Sequence, residues 1–365
     1  MNKAYAVVGL QYGSEGKGNI VAKLAQKNKP DVAVHNWGPN SGHTAVIDGA
    51  KYVHTMLHLT LVSSPNIKYC LFGAGSIINI ESLLSEMDAC RDIIEQRGVR
   101  FIVHPCAAIV TGSHRELEGE RISIGSTMKG TAEAAIERMR RDVDGNANVA
   151  INAGTELENL HRYSFIISAA AYHQALAAAE CVAIEGCQGF SLSMYHGFYP
   201  YTTSRDTSVH QLLADCCIPY GADVEVVGCV RTFPIRVANR TDPDTGEMIG
   251  WSGPCYGDQG ETTFEAIGQT TEFTTVTKLP RRVFTFSMQQ VFEACRMNGV
   301  NSIALTFADY LDDYEGLVDN LHRVIGVPVS MLASGPDTND VATVGYVIGA
   351  GPDYEVLEED DGEID

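Results

Sequence analysis

No two of the ten cysteines stand in a CxxC pair, which leaves no thiol-redox or paired-cysteine zinc signature. Cys216 and Cys217 are adjacent, and the others are scattered through apolar stretches such as 68–72. That scatter predicts reduced, mostly core thiols of a cytoplasmic protein rather than a disulfide framework. No apolar run approaches the ~20 residues needed to span a membrane. The opening residues 1–8 read as a strand, too short for a secretion signal. Positive charge is also scarce: 26 Lys and Arg face 46 Asp and Glu, a formal net charge of −20. Such a surface repels phosphate backbones, which argues against nucleic acid or an anionic membrane as the main partner. A small anionic ligand stays open, because backbone N–H groups act locally against the global field.

What is present is ordinary for a globular chain. Hydrophobic residues make up 45% of the 365 and charged residues 20%. Apolar, strand-like runs at 4–10, 31–37, 69–73, 100–104, 181–185, 224–237, 301–307 and 327–332 alternate with helical patterns. The helices are expected from about 17, then over 80–97, 131–141, 209–217, 288–297 and 314–324. Continuous apolar strands between helices predict an α/β fold, with a large, mostly parallel central sheet covered by helices on both faces. The stretch 239–261 is rich in Gly, Pro, Asp and Thr and reads as an irregular excursion. No linker is visible, so 1–354 is read as one catalytic domain with insertions, and 355–365 as an acidic, solvated tail.

Two segments carry chemistry. The first is Gly9-Leu-Gln-Tyr-Gly-Ser-Glu-Gly-Lys-Gly-Asn19, lying between a predicted strand and a predicted helix. Its glycines let backbone approach a phosphate, the helix start offers free N–H groups, and Lys17 adds a positive charge. The spacing is neither a Walker A loop nor GxGxxG, and a purely structural glycine turn is the competing reading. The second is Asn40-Ser-Gly-His-Thr44, following the second strand. A histidine at a strand's C-terminal edge sits where α/β proteins bind ligands, and it can act as acid or donor; a loop histidine without a role is the alternative.

Together these segments resemble adenylosuccinate synthetase, whose patterns are GxQWGDEGKGK and NAGHT. The resemblance continues in order. Ile124-Gly-Ser-Thr-Met-Lys-Gly130 is similar to the family's IGTTxxG loop, and Glu185-Gly-Cys-Gln-Gly189 with Tyr199-Pro-Tyr-Thr-Thr-Ser204 to EGAQG and YPYVTSS. Arg231-Thr-Phe-Pro-Ile-Arg236 occupies the place of GPFPTE. Thr277-Lys-Leu-Pro-Arg-Arg282 resembles a degraded TTGRRRR, and Ser334-Gly-Pro-Asp337 resembles STGPD. The resemblance implies the family's GTPase-related, P-loop-like fold and a ligase that phosphorylates a purine 6-oxygen and replaces it with the amine of aspartate.

Carried over motif by motif, it implies that Ser14, Glu15, Gly16, Lys17, Gly18, Asn19, Gly42, His43 and Thr44 hold the phosphates of ATP. Thr306, Asp309, Ser334, Gly335 and Pro336 then flank the ATP base. It implies that Ser14, Asn40, Ser126, Thr127, Arg141, Gln188 and Thr203 hold dGMP, Arg141 by reaching the neighbouring subunit of a homodimer. Val276, Thr277 and Arg281 would take aspartate, and Ser14 with the Gly42 carbonyl would take Mg²⁺. Ser14, Lys17, His43 and Gln188 would carry catalysis.

Two departures refine the substrate. Ser14 replaces the family aspartate that is both base on purine N1 and metal ligand. Thr306-Phe-Ala-Asp309 replaces the guanine-reading TKxD. Both match the phage branch of the family, which takes dGMP instead of IMP and accepts ATP, and imply a phage origin and the host cytoplasm. A carboxylate near N1 crowds the 2-amino group of guanine, whereas a serine oxygen accepts a hydrogen bond from it. Ordinary adenylosuccinate synthetase acting on IMP with GTP, and a non-catalytic nucleotide-binding homologue, are the alternatives. A dinucleotide oxidoreductase is disfavoured by the missing GxGxxG.

Overall fold

Alternation along β1 (Lys3–Gly9) sets up the layers. Ala4, Ala6 and Val8 face one hydrophobic core, while Tyr5 and Val7 face another on the opposite side. Side chains on a strand alternate faces, so a strand apolar at every position must be covered twice. The same split recurs for Val182 and Ile184 against Cys181 and Ala183. In the computed structural model, which describes residues 1–121, 124–142, 147–152, 160, 162–242, 244–273 and 279–344, the cover is helical on both faces. Ala169–Ala178, Val209–Asp215, Met288–Asn298 and Tyr314–Ile325 pack on one face through Tyr172, Leu212, Val291 and Leu321. On the other face α1 (Lys17–Asn28) contributes Ile20 and Val21, and Ile80–Ala89 contributes Leu83 and Met87.

The sheet has ten strands. After β1 come β2 (Val32–His35), β3 (Tyr69–Phe72), β4 (Arg100–Val103), β5 (Phe165–Ile167), β6 (Cys181–Glu185), β7 (Val224–Arg231), β8 (Ser302–Thr306), β9 (Val329–Ala333) and β10 (Val341–Thr343). Their spatial order is β10-β9-β8-β7-β1-β6-β2-β3-β4-β5, parallel throughout except for β9 with β10. Because β1 lies between β6 and β7, and β6 separates it from β2, the loops after β1, β2, β6, β7 and β8 converge at one edge. Ligands of open α/β sheets bind at such a switch point.

The expected strands and helices are present, with local differences. The 80–97 helix is two helices, Ile80–Ala89 and Arg91–Arg97, with Cys90 ending one and starting the other. The 224–237 strand stops at Arg231, and Ile235–Arg236 joins a different, three-stranded sheet. Pro234 lies at the break and has no N–H to donate to a ladder. The excursion at 239–261 holds a small hairpin, Arg240–Thr241 with Met248–Gly250. His43–Ile47 and Ala50–His54 form a further hairpin, so His43 opens a strand rather than sitting mid-loop. All ten cysteines are free thiols, seven of them buried. No described helix is long and apolar enough to cross a membrane. The acidic tail lies outside the described residues.

Leu71 on β3 is completely buried in the larger core. Leu71→Ala is expected to cost about 2–5 kcal/mol, read as a lowered urea midpoint with an unchanged slope.

Candidate active site

Capping shows where the fold leaves backbone donors free. Ser168, Ser208, Ser287 and Asp313 each accept an N–H in the first turn of their helices through the side chain. α1 begins instead at Gly16, in a left-handed conformation (φ 76°), with no side-chain cap and no acidic residue in its first turn. The Asn19 N–H turns back to the Gly16 carbonyl at 3.1 Å, which leaves those of Lys17 and Gly18 to face an anion. Helix Thr131–Arg140 likewise begins at a left-handed glycine, Gly130 (φ 76°), without a side-chain cap, but it carries Glu133 in its first turn, and the Glu118 carboxylate accepts the Gly130 N–H. These two starts are the loops that the sequence assigns to the two nucleotides' phosphates.

The first loop is built around a buried carboxylate. Glu15 is 0% exposed; its Oε1 accepts the Gln11 and Gly13 N–H groups at 3.1 and 2.8 Å, and its Oε2 lies 2.8 Å from Lys17 Nζ. A Cβ on Gly9 or Gly189 would collide with this carboxylate, so neither tolerates a side chain. Lys17 Nζ also donates to the Gln188 carbonyl. Burial alone pulls the Lys17 ammonium down, but the Glu15 charge and hydrogen bond outweigh it and hold it above its ordinary value. Ser14 is exposed at the tip of the loop, in left-handed backbone (φ 59°). Asn19 ties α1 to two other segments: its Oδ1 accepts the Val46 N–H at 3.0 Å, and its Nδ2 donates to the Pro336 carbonyl. Thr306 Oγ1 donates to the Glu15 carbonyl at 2.8 Å. The residues expected around ATP thus meet in space, with Gly42, Thr44, Asp309 and Ser334 exposed beside them and Gly335 half-buried.

His43 is fixed from three sides. Its ring stacks on Trp37, with centroids 3.4 Å apart and planes 6° off parallel. Its Nδ1 lies 2.7 Å from Glu185 Oε1, and its Nε2 lies 3.3 Å from Ser41 Oγ. Trp37 is itself pinned by Nε1 donating to the Glu185 carbonyl at 2.8 Å. Burial drives the His43 imidazolium well below its usual pKa, and the Lys17 charge adds to that; burial raises Glu185 to about 7. With Nδ1 engaged by the carboxyl group, Nε2 is the nitrogen turned toward the Asn40–Thr44 loop. Glu185 closes β6 and was quoted within a motif, but its role was missed. The available signal was a lone ionisable residue ending a fully apolar strand. Trp37 gave no comparable signal.

The purine-side residues also assemble. Gln188 is in left-handed backbone (φ 53°), and both polar atoms of its side-chain amide are buried without a hydrogen-bond partner among the described residues. Asn40 Nδ2 donates to Thr203 Oγ1 at 3.4 Å, joining the loops after β2 and β6. Ser126 Oγ donates to Glu118 at 3.4 Å, and Thr127 is half-buried beside it. Arg141 is exposed at the C-terminal cap of its helix. Arg281 donates its N–H to the Glu272 carbonyl at 2.8 Å, and its Nε to the Phe273 carbonyl at 3.4 Å. Val276 and Thr277 lie outside the described residues.

An uncapped helix start after the central strand, a buried lysine, an oriented histidine and a buried, unpartnered amide among the described residues at one sheet edge mark a nucleotide-binding α/β enzyme. The adenylosuccinate synthetase family profile matches residues 6–149 and 143–318, and the chain belongs to that family. It is 42% identical to the N6-succino-2-amino-2'-deoxyadenylate synthase of Acinetobacter phage SH-Ab 15497, over 94% of each chain. It is 32% identical to adenylosuccinate synthetase of Methanococcus maripaludis, over 93% of this chain and 98% of the relative. Among solved structures it is similar to cyanophage S-2L succinoaminodeoxyadenylate synthetase bound to dGMP and dATP as an energy donor. That similarity has a TM-score of 0.84 and 38% identity, covering 94% of this chain and 95% of that one.

The Glu185 shift has a consequence for stability. Folded Glu185 binds its proton more tightly than the ordinary carboxyl at 4.5, so its contribution is full below about pH 4.5 and is lost as pH rises to about 7. Glu185→Gln, which keeps the shape and does not ionise, is expected to gain on wild type across that window by on the order of 3 kcal/mol. Paired urea titrations at pH 5 and 8 check the sign; a constant difference contradicts it.

Proposed function

We infer that the chain is a C–N ligase joining L-aspartate to C6 of dGMP, with ATP hydrolysis, to give 2-amino-2'-deoxy-N6-succinyladenylate, ADP and phosphate. The observation that carries this reading is Ser14. It stands exposed at the tip of the phosphate loop where the family has a carboxylate, in a chain 42% identical to an enzyme named for that product.

The 6-oxygen of a purine is a poor leaving group, so an amine does not displace it at neutral pH. Moving the γ-phosphoryl of ATP onto that oxygen creates a good one; the aspartate amine then attacks C6 and phosphate departs. The α1 N–H groups and the buried Lys17 ammonium offset charge on the transferring phosphoryl. His43 Nε2, aimed by Glu185 and Trp37, hydrogen-bonds the 6-oxygen or the phosphoryl. Gln188, whose amide has no protein partner, supplies a donor and an acceptor for the 6-side of the ring. Asn40, Ser126, Thr127 and Thr203 hold the 5′-phosphate and base. Arg141, exposed at its helix end, suits a reach into the nucleotide site of a second copy, as a homodimer requires. Arg281, with Val276 and Thr277, takes the aspartate carboxylates.

The Ser14 hydroxyl and the exposed Gly42 carbonyl are hard oxygen donors, and a Cβ on Gly42 meets nothing within 4 Å. That set fits Mg²⁺, which commonly completes its shell with substrate phosphates and water. When bound there it supplies charge neutralisation at the phosphates. Thr306, Asp309, Ser334, Gly335 and Pro336 flank the donor base, and Phe307, in place of the family lysine, offers it an aromatic surface. The reaction belongs in the cytoplasm of an infected host, within one catalytic domain over 1–354.

The test is a panel of IMP, GMP and dGMP, each with aspartate, Mg²⁺ and ATP or GTP, read by phosphate release and product mass. The expected product is 2-amino-2'-deoxy-N6-succinyladenylate from dGMP with ATP; turnover of IMP alone overturns the assignment. Ser14→Asp is expected to lower kcat/KM for dGMP about tenfold or more by crowding the 2-amino group. Unchanged dGMP kinetics in that variant refute the crowding argument.

A further inference from the structure

Arg231 ends β7 with its side chain 1% exposed, and three chain segments converge on it. Its Nη1 donates to the Ser14 carbonyl at 3.2 Å. Its Nη2 lies 2.6 Å from Glu272 Oε1. Its Cζ stands 4.0 Å above the centroid of the Phe307 ring. The backbone beneath is fixed from the loop after β1: Gln11 accepts the Arg231 N–H at 2.9 Å and donates to its carbonyl at 3.0 Å. The end of β7 and the phosphate loop thus aim the guanidinium together.

The three partners come from three parts of the site. Ser14 is the tip of the phosphate loop. Phe307 follows β8 and faces Gly16, where a Cβ would lie 3.7 Å from its ring. Glu272 accepts the Arg281 N–H through its carbonyl and so ties Arg281 to the same cluster. Ser14 and Phe307 are both non-glycine residues in left-handed backbone (φ 59° and 55°). Such conformations persist only where the surroundings over-determine them. Arg231 touches both: the carbonyl of one and the ring of the other.

We propose that Arg231 is a positioning residue that holds Ser14 and Phe307 in these conformations and ties both to the aspartate segment, coupling the donor-base pocket to aspartate capture. The substrate names rest on the function proposed above. A lysine cannot replace it, because one ammonium has neither the fork that serves Ser14 and Glu272 together nor the flat face that stacks on Phe307.

The experiment uses the full chain and reads each ligand separately. ATP and dGMP affinities are measured by calorimetry without turnover; aspartate KM, kcat and the thermal midpoint follow. Arg231→Lys is expected to weaken ATP about tenfold, on the order of one cation–π contact, and to weaken dGMP too, because the Ser14 it holds is placed against both nucleotides, while the thermal midpoint is unchanged. Phe307→Leu is expected to weaken ATP less in the Arg231→Lys background than in wild type, because the two residues share one contact. Glu272→Gln, which keeps the side-chain shape, is expected to raise aspartate KM several-fold. Affinity losses that come with a lowered thermal midpoint would mark a merely structural arginine and overturn the proposal. Additive Arg231 and Phe307 effects, or an unchanged aspartate KM in Glu272→Gln, overturn it too. A wild type that binds ATP without turning over dGMP sinks the function proposed above, while the ATP affinities of the Arg231 and Phe307 variants still judge Arg231.

Discussion

A single buried negative charge organises the phosphate loop. Glu15 has no access to water, so every lone pair it presents must be met from within. The Gln11 and Gly13 N–H groups and Lys17 Nζ meet them, and in doing so they draw the loop into a tight curl. The curl in turn requires glycine at 9 and 189, the two backbones pressed against the carboxylate. Breaking a buried pair from one side leaves the other charge stranded, typically at 3–5 kcal/mol. Lys17 is therefore held at the mouth of α1 by an interaction that the folded chain cannot easily give up. In the function proposed above, the phosphoryl would meet a cation already desolvated and already aimed, which is the condition for electrostatic catalysis.

His43 follows the same logic with different chemistry. Its ring has neither solvent nor freedom: Trp37 covers one face, and Glu185 holds Nδ1. Trp37 is in turn held by the carbonyl of that same Glu185. One strand end thus sets the tilt of the imidazole and claims Nδ1, leaving Nε2 to the Ser41 hydroxyl. The low-dielectric surroundings that push His43 and Glu185 toward their neutral forms also strengthen the hydrogen bond between them.

Much of this was legible in the sequence, and the parts that were not share a cause. β1, β2, β6 and β8 are continuous apolar runs, because a parallel sheet covered on both faces needs nothing else. β5 and β10 span three residues each and present no run long enough to read. The strand drawn over 224–237 ignored Pro234, and the helix drawn over 80–97 ran through Cys90; both are local interruptions within strong patterns. In the site, contiguous motifs announced Ser14, Lys17, His43 and Gln188. Glu185 as the partner of His43, 142 positions away, was not announced, nor was Gln11 gripping Arg231 from 220 positions away. Those pairings exist only because β6 and β7 flank β1, and strand order is not written in local spacing.

The same limit explains how the two substitutions that set this chain apart were read. Ser14 and Phe307 looked like independent changes, one at the acceptor purine and one at the donor base, nearly 300 positions apart in the sequence. In the folded chain both backbones are left-handed, and one arginine spans them. A lysine at 307 would bring a second cation against a buried guanidinium whose ion pair is with Glu272. An aromatic ring instead accepts the guanidinium on its face. A carboxylate at 14 would add a new anion within reach of the same arginine and compete with Glu272 for it. The residue at 231 thus fits a serine and a phenylalanine better than it fits an aspartate and a lysine. That favours reading the two departures as one adjustment of the site, with a shared physical reason.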